Sequence, residues 1–270
     1  MLVPPGMPVF QEAMAGLKEG LQRPVEILDP EPGALHRLAE SSSPRLVVAF
    51  GTRAAELALN CRIQTPVLAA MVMAAGDVRL GCAEREPAAV ISLEPAPEAI
   101  LARLRELFPR KGRIGVILGS SHDESSADEF RRAGRQLGLA IEAIKCRNAR
   151  ELVEAAATLH GRVEVVLCRP DSALYSRTVV EPFLLSALKQ GLPVVAFSES
   201  FVRAGAVAGL YPDFVELGRL TGEVASRLLR GEPVQKLYRP RRIVAATNRR
   251  VVRLLGLERD LDLRGVVLVK

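Results

Sequence analysis

Short apolar segments alternate along this chain with segments whose apolar residues recur at helical spacing, and this alternation constrains the fold more than any other feature. Strands that are apolar on both faces and alternate with helices are typical of parallel sheets covered on both sides. The sequence therefore predicts an α/β fold. The predicted strands span 45–50, 66–72, 88–93, 113–118, 141–145, 163–168, 192–197, 205–210 and 242–246, and the predicted helices span 9–20, 53–60, 96–108, 127–138, 149–160, 177–190 and 214–230.

Three stretches typical of linkers interrupt this alternation. Residues 109–112 separate a helix from the next strand, and residues 201–206 and 231–240 form two further breaks. A chain that passes three times between two lobes can close them around a ligand. We therefore expect two doubly wound parallel-sheet lobes joined by a multi-strand hinge. The expected boundaries are 1–108 and 205–237 for lobe 1, and 109–204 and 238–270 for lobe 2.

Small polar side chains follow four of the predicted strands. Parallel sheets bind ligands outside the carboxyl ends of their strands, so these side chains could line one cleft. Hydroxyl groups and the free N–H groups of a helix N-terminus attract an anion, and a carboxylate attracts an amine. Capping of the helix that follows would also explain each residue taken alone. The candidate ligand-binding residues from this pattern are Thr52, Ser120, Ser121, Asp171, Ser172, Ser198 and Glu199.

Two helix caps are predicted from residue spacing. Ser126 with Glu129 fits a capping box, in which each side chain bonds a free N–H of the first turn. Asp213 with Glu216 can cap the helix predicted over 214–230. Two glycines one turn apart would let another element approach that helix closely. They are Gly218 and Gly222.

The composition argues against several classes of protein. The net charge of +6 would suit a nucleic acid, but the chain has no Trp and only 4% aromatic residues to stack on bases. The basic segment 239–253 is therefore interpreted as a solvated surface. The longest apolar stretch, 66–76, is too short to span a membrane. The four cysteines lack CxxC spacing, so we predict no zinc site and leave disulfides open. They are Cys61, Cys82, Cys146 and Cys168.

An enzyme is the third interpretation of this sequence. The chain contains no GxGxxG, GxxxxGK[ST], HExxH or GxSxG motif. Ser121 and His122 are not expected to form a nucleophilic pair, because a base rarely points at the hydroxyl of its neighbour in the chain. Asp171 and Glu199 could act as paired carboxylates in glycoside chemistry, but aromatic residues to stack on a sugar are few. We predict no catalytic residues, no cofactor and no metal.

Four segments resemble one known family. Residues 47–72, 113–138, 169–234 and 243–257 are similar to ABC-transporter substrate-binding proteins of the tryptophan/tyrosine-binding type. This resemblance implies the type I periplasmic-binding-protein fold. Its most specific part is a helix motif with Asp213, Leu217, Gly218, Arg219, Thr221 and Gly222.

The resemblance also implies a ligand cleft and adds candidate residues to it. The cleft would receive the loop at 7–10, with Pro8 and Phe10, in addition to the residues that follow the strands; we also count Asp213 among the candidates. Family members commonly carry an Asp-Pro pair after the third strand, where this chain has "MVMAAGDVRLG". A lobe of this kind also needs a strand before the helix at 9–20, and only "MLVPP" precedes that helix.

The expected function is therefore that of a non-enzymatic, monomeric substrate-binding protein. It would capture a small amino-acid-like, polar or anionic solute by hinge closure and deliver it to an ABC permease in the membrane. The family implies a periplasmic or other extracytoplasmic location; no signal peptide begins this sequence, so a leader is expected upstream or already removed. The alternative is a ligand-sensing domain of a regulator or receptor with the same fold. No binding of nucleic acid is expected.

Overall fold

The computed structural model of the chain describes residues 1–269 except 7, 22, 32, 34–43, 62–64, 74–87, 123 and 172. The strands in this part of the chain are β1 (Val47–Phe50), β2 (Val67–Val72), β3 (Ala89–Ser92), β4 (Arg113–Leu118), β5 (Ala140–Lys145), β6 (Val165–Cys168), β7 (Val194–Ala196), β8 (Ala208–Pro212), β9 (Leu237–Tyr238), β10 (Ile243–Asn248) and β11 (Val266–Val269). The helices are α1 (Pro8–Leu21), α2 (Thr52–Asn60), α3 (Pro97–Leu107), α4 (Glu124–Gln136), α5 (Ala149–Leu159), α6 (Arg177–Lys189), α7 (Glu199–Ala204), α8 (Phe214–Leu229) and α9 (Arg249–Leu254).

The chain folds into two compact α/β units. Unit 1 contains Met1–Pro95 and Pro212–Arg242, and unit 2 contains Ala96–Tyr211 and Ile243–Lys270. The chain passes between the units three times, at positions that differ from the linker-like stretches in the sequence. The helix at 97–107 belongs to unit 2 because its apolar face packs in the same core as β4.

The other two boundaries differ because of strand pairing. Strand β8, which the sequence analysis placed in lobe 1, pairs with β7 and so lies in unit 2. Strand β9 pairs with β3, which keeps the chain in unit 1 as far as Arg242. A short strand joins whichever sheet offers it a backbone partner, and linker composition carries no information about that choice.

The sheet of unit 1 is parallel, with the strand order β1-β2-β3-β9. Leu2 continues the pattern beyond β1 through parallel bridges to Ala49 and to Leu28. Residues 1–3 thus take the strand position before α1 that seemed too short in the sequence. The order of these segments reverses between Leu2 and β1, which makes this pair the topological switch point of unit 1.

The sheet of unit 2 is built on the same plan. Its order is β11-β10-β8-β7-β6-β4-β5, with parallel pairing of β4 to β5 on one side and to β6 on the other. The switch point therefore lies between β4 and β6. Alternate strand residues face two cores: Val116 and Leu167 pack with α3, α4 and α9, whereas Ile117 and Val166 pack with α5, α6 and α7. This alternation confirms the doubly wound parallel sheet that the sequence predicts.

Helices α1 and α8 pack at backbone contact in unit 1. A Cβ atom added at Gly218 would lie 1.9 Å from Ala13 O, and one added at Gly222 would lie 2.7 Å from Leu17 O. The close approach predicted for these two glycines is confirmed, and its partner is α1. Two glycines on α1 complete the contact, since a Cβ on Gly16 would lie 1.9 Å from Val215 O. The second of these two glycines on α1 is Gly20.

Several local predictions had different outcomes. Asp213 caps α8 as expected, with its Oδ1 accepting from Glu216 N at 3.1 Å. The capping box at Ser126 is wrong, because α4 already begins at Glu124 and Ser126 lies inside its first turn. Thr52 is the first residue of α2 and not its cap, a position that Gly51 takes with φ of +85°. No helix in the described part of the chain is long and apolar enough to cross a membrane.

Candidate functional site

Asp171 joins the two loops at the switch point of unit 2. Its Oδ2 accepts from Ser121 N at 2.9 Å and from Ser121 Oγ at 2.6 Å, across the gap between the loops that follow β4 and β6. Its Oδ1 accepts from Ala173 N at 3.0 Å and from Leu174 N at 2.9 Å within its own loop. The carboxylate is buried and fully engaged. Its geometry is that of an anchor which fixes the positions of both loops.

The electrostatics of Asp171 agree with this role. Burial alone would raise the pKa of the carboxyl, but the hydrogen bonds from Ser121, Leu174 and Ala173 outweigh burial and hold the pKa below its usual 3.8. Asp171 is therefore ionised at neutral pH. The amine-binding role that the sequence suggested for it would need to displace donors already in place.

Gly119 permits the close approach of the two loops. A Cβ atom at this position would lie 2.2 Å from Asp171 Oδ2, well inside contact distance. The absence of a side chain lets the backbone of the β4 loop wrap over the carboxylate, with His122 N bonding back to Gly119 O at 3.2 Å. Ser120 is consequently presented at the exposed tip of this loop.

Arg169 is a residue that the sequence analysis missed. It directly follows β6, is 3% exposed, and holds its guanidinium carbon 5.2 Å from the centre of the Phe130 ring on α4. A buried arginine close to the switch point adds positive potential to the region where Ser120 and the first turn of α4 lie. The available signal was a cation immediately after an apolar strand, at "VVLCRPD".

An aromatic cluster connects the β6 loop with the segment after β7. Tyr175, Phe197 and Phe201 are in mutual contact, with ring centres 4.8 to 5.4 Å apart. Burial of the Tyr175 hydroxyl, followed by the nearby Cys168 thiol, raises its pKa well above 10. Phe197 remains half-buried at the carboxyl end of β7. Unit 2 therefore offers an apolar surface beside the polar loops.

Ser198 and Glu199 lie on the same edge of the sheet as these loops. Ser198 is the N-cap residue of α7, and its hydroxyl bonds Ser200 Oγ at 2.8 Å instead of a backbone N–H. Glu199 forms an ion pair with Arg203 one turn later. The Ser198 hydroxyl thus has a side-chain partner, and the Glu199 carboxylate already has a cation. Ser172 lies outside the described residues.

Three of the candidate ligand-binding residues lie at the switch point of unit 1. Pro8 and Phe10 are in the first turn of α1, and a Cβ on Gly51 would lie 3.3 Å from the Phe10 ring. Phe10 is a core residue, 7% exposed and packed edge-on against Phe50 at 6.3 Å between ring centres. Thr52 opens α2 beside it and is half-buried.

A further carboxylate lies at this edge of unit 1. Glu94 follows β3, is 6% exposed, and has its backbone N–H bonded to the buried Ser92 Oγ at 2.9 Å. Sequence reasoning missed it because it reads as part of the turn before α3. The segment 71–81, where the family's Asp-Pro pair would stand, is described only as far as Met73.

A family model described as ABC transporter substrate binding protein matches residues 34–241, which is most of the chain. The chain belongs to the ABC transporter substrate-binding protein family. Members of this family typically function outside the cytoplasm. The resemblance drawn from the four sequence segments is confirmed by this match.

Individual relatives agree with the family and its fold. A tyrosine-binding protein of Clostridioides difficile is 23% identical over 199 residues, and the match covers 72% of this chain but only 57% of that protein's length. The ligand-free, open structure of a substrate-binding protein with adhesive properties from Clostridium difficile has a TM-score of 0.73 at 20% identity, covering 100% of this chain and 97% of the other. A Streptococcus pneumonia ABC domain in complex with L-Trp has a TM-score of 0.61 at 18% identity, covering 98% and 96%. The fold is that of the type I periplasmic-binding proteins.

Substrate-binding proteins of this family are non-enzymatic. The geometry of Ser121 and His122 is relevant here, because a serine and a histidine in contact could form a nucleophilic pair. His122 Nδ1 lies 3.3 Å from Ser121 Oγ, so the two neighbours do meet, in an arrangement that the sequence analysis considered rare. The Ser121 hydroxyl nevertheless donates to Asp171 at 2.6 Å, so its proton does not point to the imidazole. Among the described residues, no group of three or more His, Cys, Asp or Glu is arranged to hold a metal ion.

Asp213, the last candidate ligand-binding residue, caps a helix and lies near an arginine. Its Oδ1 caps α8 and its Oδ2 lies 3.4 Å from Arg242 Nη1. Both oxygens therefore interact within unit 1, near the positions at which the chain enters this unit and leaves it again. We assign Asp213 to the helix cap.

Proposed function

We propose that this chain is the solute-binding component of an ABC transporter, with the solute held between the switch-point loops of the two units. The observation that carries the proposal is the shared plan of the units. In each, the segments at the topological switch point end in small polar residues at a helix N-terminus: Thr52 with α2 in unit 1, and Ser120 with α4 in unit 2. Open α/β sheets bind ligands at such points.

The local chemistry supports a small solute that has an anionic group and an apolar body. Ser120, the N–H groups at the start of α4 and the positive potential of Arg169 favour a carboxylate. The half-buried Phe197 beside them favours an aromatic or aliphatic group. Aromatic amino acids are accordingly the first class to test, and the tyrosine-binding relative supports the same choice.

In the proposed mechanism the protein performs no chemistry. Solute bridges the two units and stabilises a closed state, because only that state makes both sets of contacts. Asp171 acts by holding the Ser120 loop in position, not by binding the solute. Delivery to a membrane permease, and a location outside the cytoplasm, follow from membership of the transporter family and are part of the proposal.

A thermal-shift screen tests this function. The panel contains the amino acids, dipeptides, purines and small carboxylates. We expect one class, led by Tyr or Trp, to raise the melting temperature of the wild-type protein by about 5 °C, since a solute that binds only the native state stabilises it by mass action. Ser120→Trp should abolish the shift by filling the site, whereas Thr158→Trp, at an equally exposed position on α5, should keep it. No shift with any compound would contradict the proposal.

A further inference from the structure

At the edge of the unit 2 sheet opposite β5, a second surface combines arginines with exposed apolar side chains. Three arginines of α9 and the side chain of Leu254 line one depression of about 470 Å³ with Asn248 and Val269. The neighbouring edge strand β11 adds two exposed apolar side chains, Val267 and Leu268, which as consecutive strand residues point to opposite faces of the sheet. We call these residues the arginine–apolar surface: Arg249, Arg250, Arg253, Leu254, Val267 and Leu268.

The charge of this surface is uncompensated. Within the described part of the chain, Arg249, Arg250 and Arg253 have no carboxylate within ion-pair distance, whereas the nearby Arg241, Arg242 and Arg264 each have one. Three cations on one short helix repel each other unless an anion lies nearby. The helix is held in place by Asn248, whose Oδ1 accepts from Arg250 N and Val251 N.

The apolar part of the surface is also unusual for this protein. Four of the seven large apolar side chains that are clearly exposed in the described residues fall near the chain's end: Leu254 is 62% exposed, Leu268 49%, Val267 47% and Leu263 38%. The remaining exposed apolar residues are scattered singly, as is normal for a protein surface. Exposed apolar side chains surrounded by arginines are typical of proteins that dock on an anionic bilayer.

We propose that the arginine–apolar surface docks this protein on a membrane that carries anionic phospholipid. The arginines contact lipid phosphates, and Leu254 beside them enters the boundary between headgroups and acyl chains. Charge complementarity selects this partner: a second copy of the chain would bring the same three cations together, which is unfavourable. An acidic protein partner would pair with the three arginines, but its acidic groups would give the exposed apolar side chains no apolar contact.

This surface is separate from the proposed solute site. In the sheet order, three strands (β10, β8 and β7) lie between β11 and β6, which bears Asp171 at its carboxyl end. The two proposals therefore rest on different residues. Its failure would not affect the solute proposal, and the reverse also holds.

Co-sedimentation of the full chain with lipid vesicles tests the docking. We expect binding to vesicles of phosphatidylglycerol mixed with phosphatidylcholine, no binding to pure phosphatidylcholine, and loss of binding as salt rises from about 50 to about 500 mM. Each arginine at an anionic surface contributes about a fivefold factor, so R249Q/R250Q/R253Q should reduce the partition coefficient on the order of a hundredfold. Leu254→Gln should reduce it about tenfold.

The control variant changes one arginine and one leucine outside the arginine–apolar surface. Arg147→Gln with Leu185→Gln replaces an unpaired exposed arginine and a leucine that is 52% exposed, and it should bind like the wild type. Circular dichroism of all variants shows whether they remain folded. Binding to neither vesicle, equal binding to both vesicles, or an unchanged partition coefficient in the folded triple variant would overturn the proposal.

Discussion

Replacing Asp171 with alanine is expected to destabilise unit 2 and to abolish solute binding together. The substitution removes the acceptor of four hydrogen bonds and leaves the N–H groups of Ser121, Ala173 and Leu174 without their partner. Hydrogen bonds to an ionised group contribute more than neutral ones, so the free energy of unfolding should fall by about 3 kcal/mol. Urea denaturation followed by circular dichroism measures this loss.

Asp171→Asn separates charge from shape and gives a dependence on pH. The folded carboxyl has a lowered pKa, so its stabilising contribution is complete above the unfolded pKa near 3.8 and is lost as pH falls through the folded value. The advantage of wild type over Asp171→Asn should therefore be constant from about pH 7 to about pH 5 and shrink below about pH 4. An advantage that grows on acidification would contradict the anchoring role.

Gly218→Ala is expected to produce the largest loss of stability in unit 1. On an exposed helix this change would stabilise by about 1 kcal/mol, because alanine favours helix more than glycine. Here the new Cβ would lie 1.9 Å from Ala13 O on α1, so the helices must separate and disturb the core between them. We expect a net destabilisation of about 3 kcal/mol or more, measured by chemical denaturation.

Two other glycines provide controls for this prediction. Gly112→Ala meets no atom within 4 Å and should leave the stability of the protein almost unchanged. Gly231→Ala also has open space, but the residue has φ of +72° after the end of α8, so it should cost about 1 kcal/mol through backbone strain alone. A Gly218→Ala variant as stable as Gly112→Ala would show that α1 and α8 are not in backbone contact.

The sequence predicted the strands that are buried on both faces. For β1 to β4, β6 to β8 and β10, apolar side chains must point to both sides of the sheet, and this requirement leaves a continuous apolar run. The edge strand β5 was predicted as well, although none of its residues is fully buried. The sequence analysis missed β11, an edge strand with Val267 and Leu268 half-exposed, and β9, which has two residues. It interpreted α7 as part of a linker because this six-residue helix ends at Gly205, which has φ of +120°.

The candidate site was predictable in position but less so in role. The rule correctly predicted that Thr52, Ser120 and Ser198 lie at the carboxyl edges of their sheets, because a parallel sheet collects all its carboxyl ends on one edge. The same rule could not distinguish a residue that faces the solute from one that holds a loop. Asp171 became an anchor only through partners fifty positions away at Ser121, a distance in sequence that no local pattern spans.

The sequence analysis also missed two buried charged residues near the candidate site. Arg169 and Glu94 follow strands directly, yet charged residues at strand ends are usually solvated, so single-sequence reasoning assigned them no role. Their burial arises from packing against Phe130 for the arginine and from the turn after Ser92 for the glutamate. Both depend on the fold of the whole unit.

The most direct test measures solute affinity by isothermal titration calorimetry in two single variants, Thr52→Val and Ser120→Ala. If one solute contacts both Thr52 and Ser120, as proposed, each single variant weakens binding of the solute about tenfold while it retains the melting temperature of the wild-type protein. Thr158→Val should bind as wild type. Wild-type affinity in either single variant would contradict the claim that one solute is held by the switch points of both units.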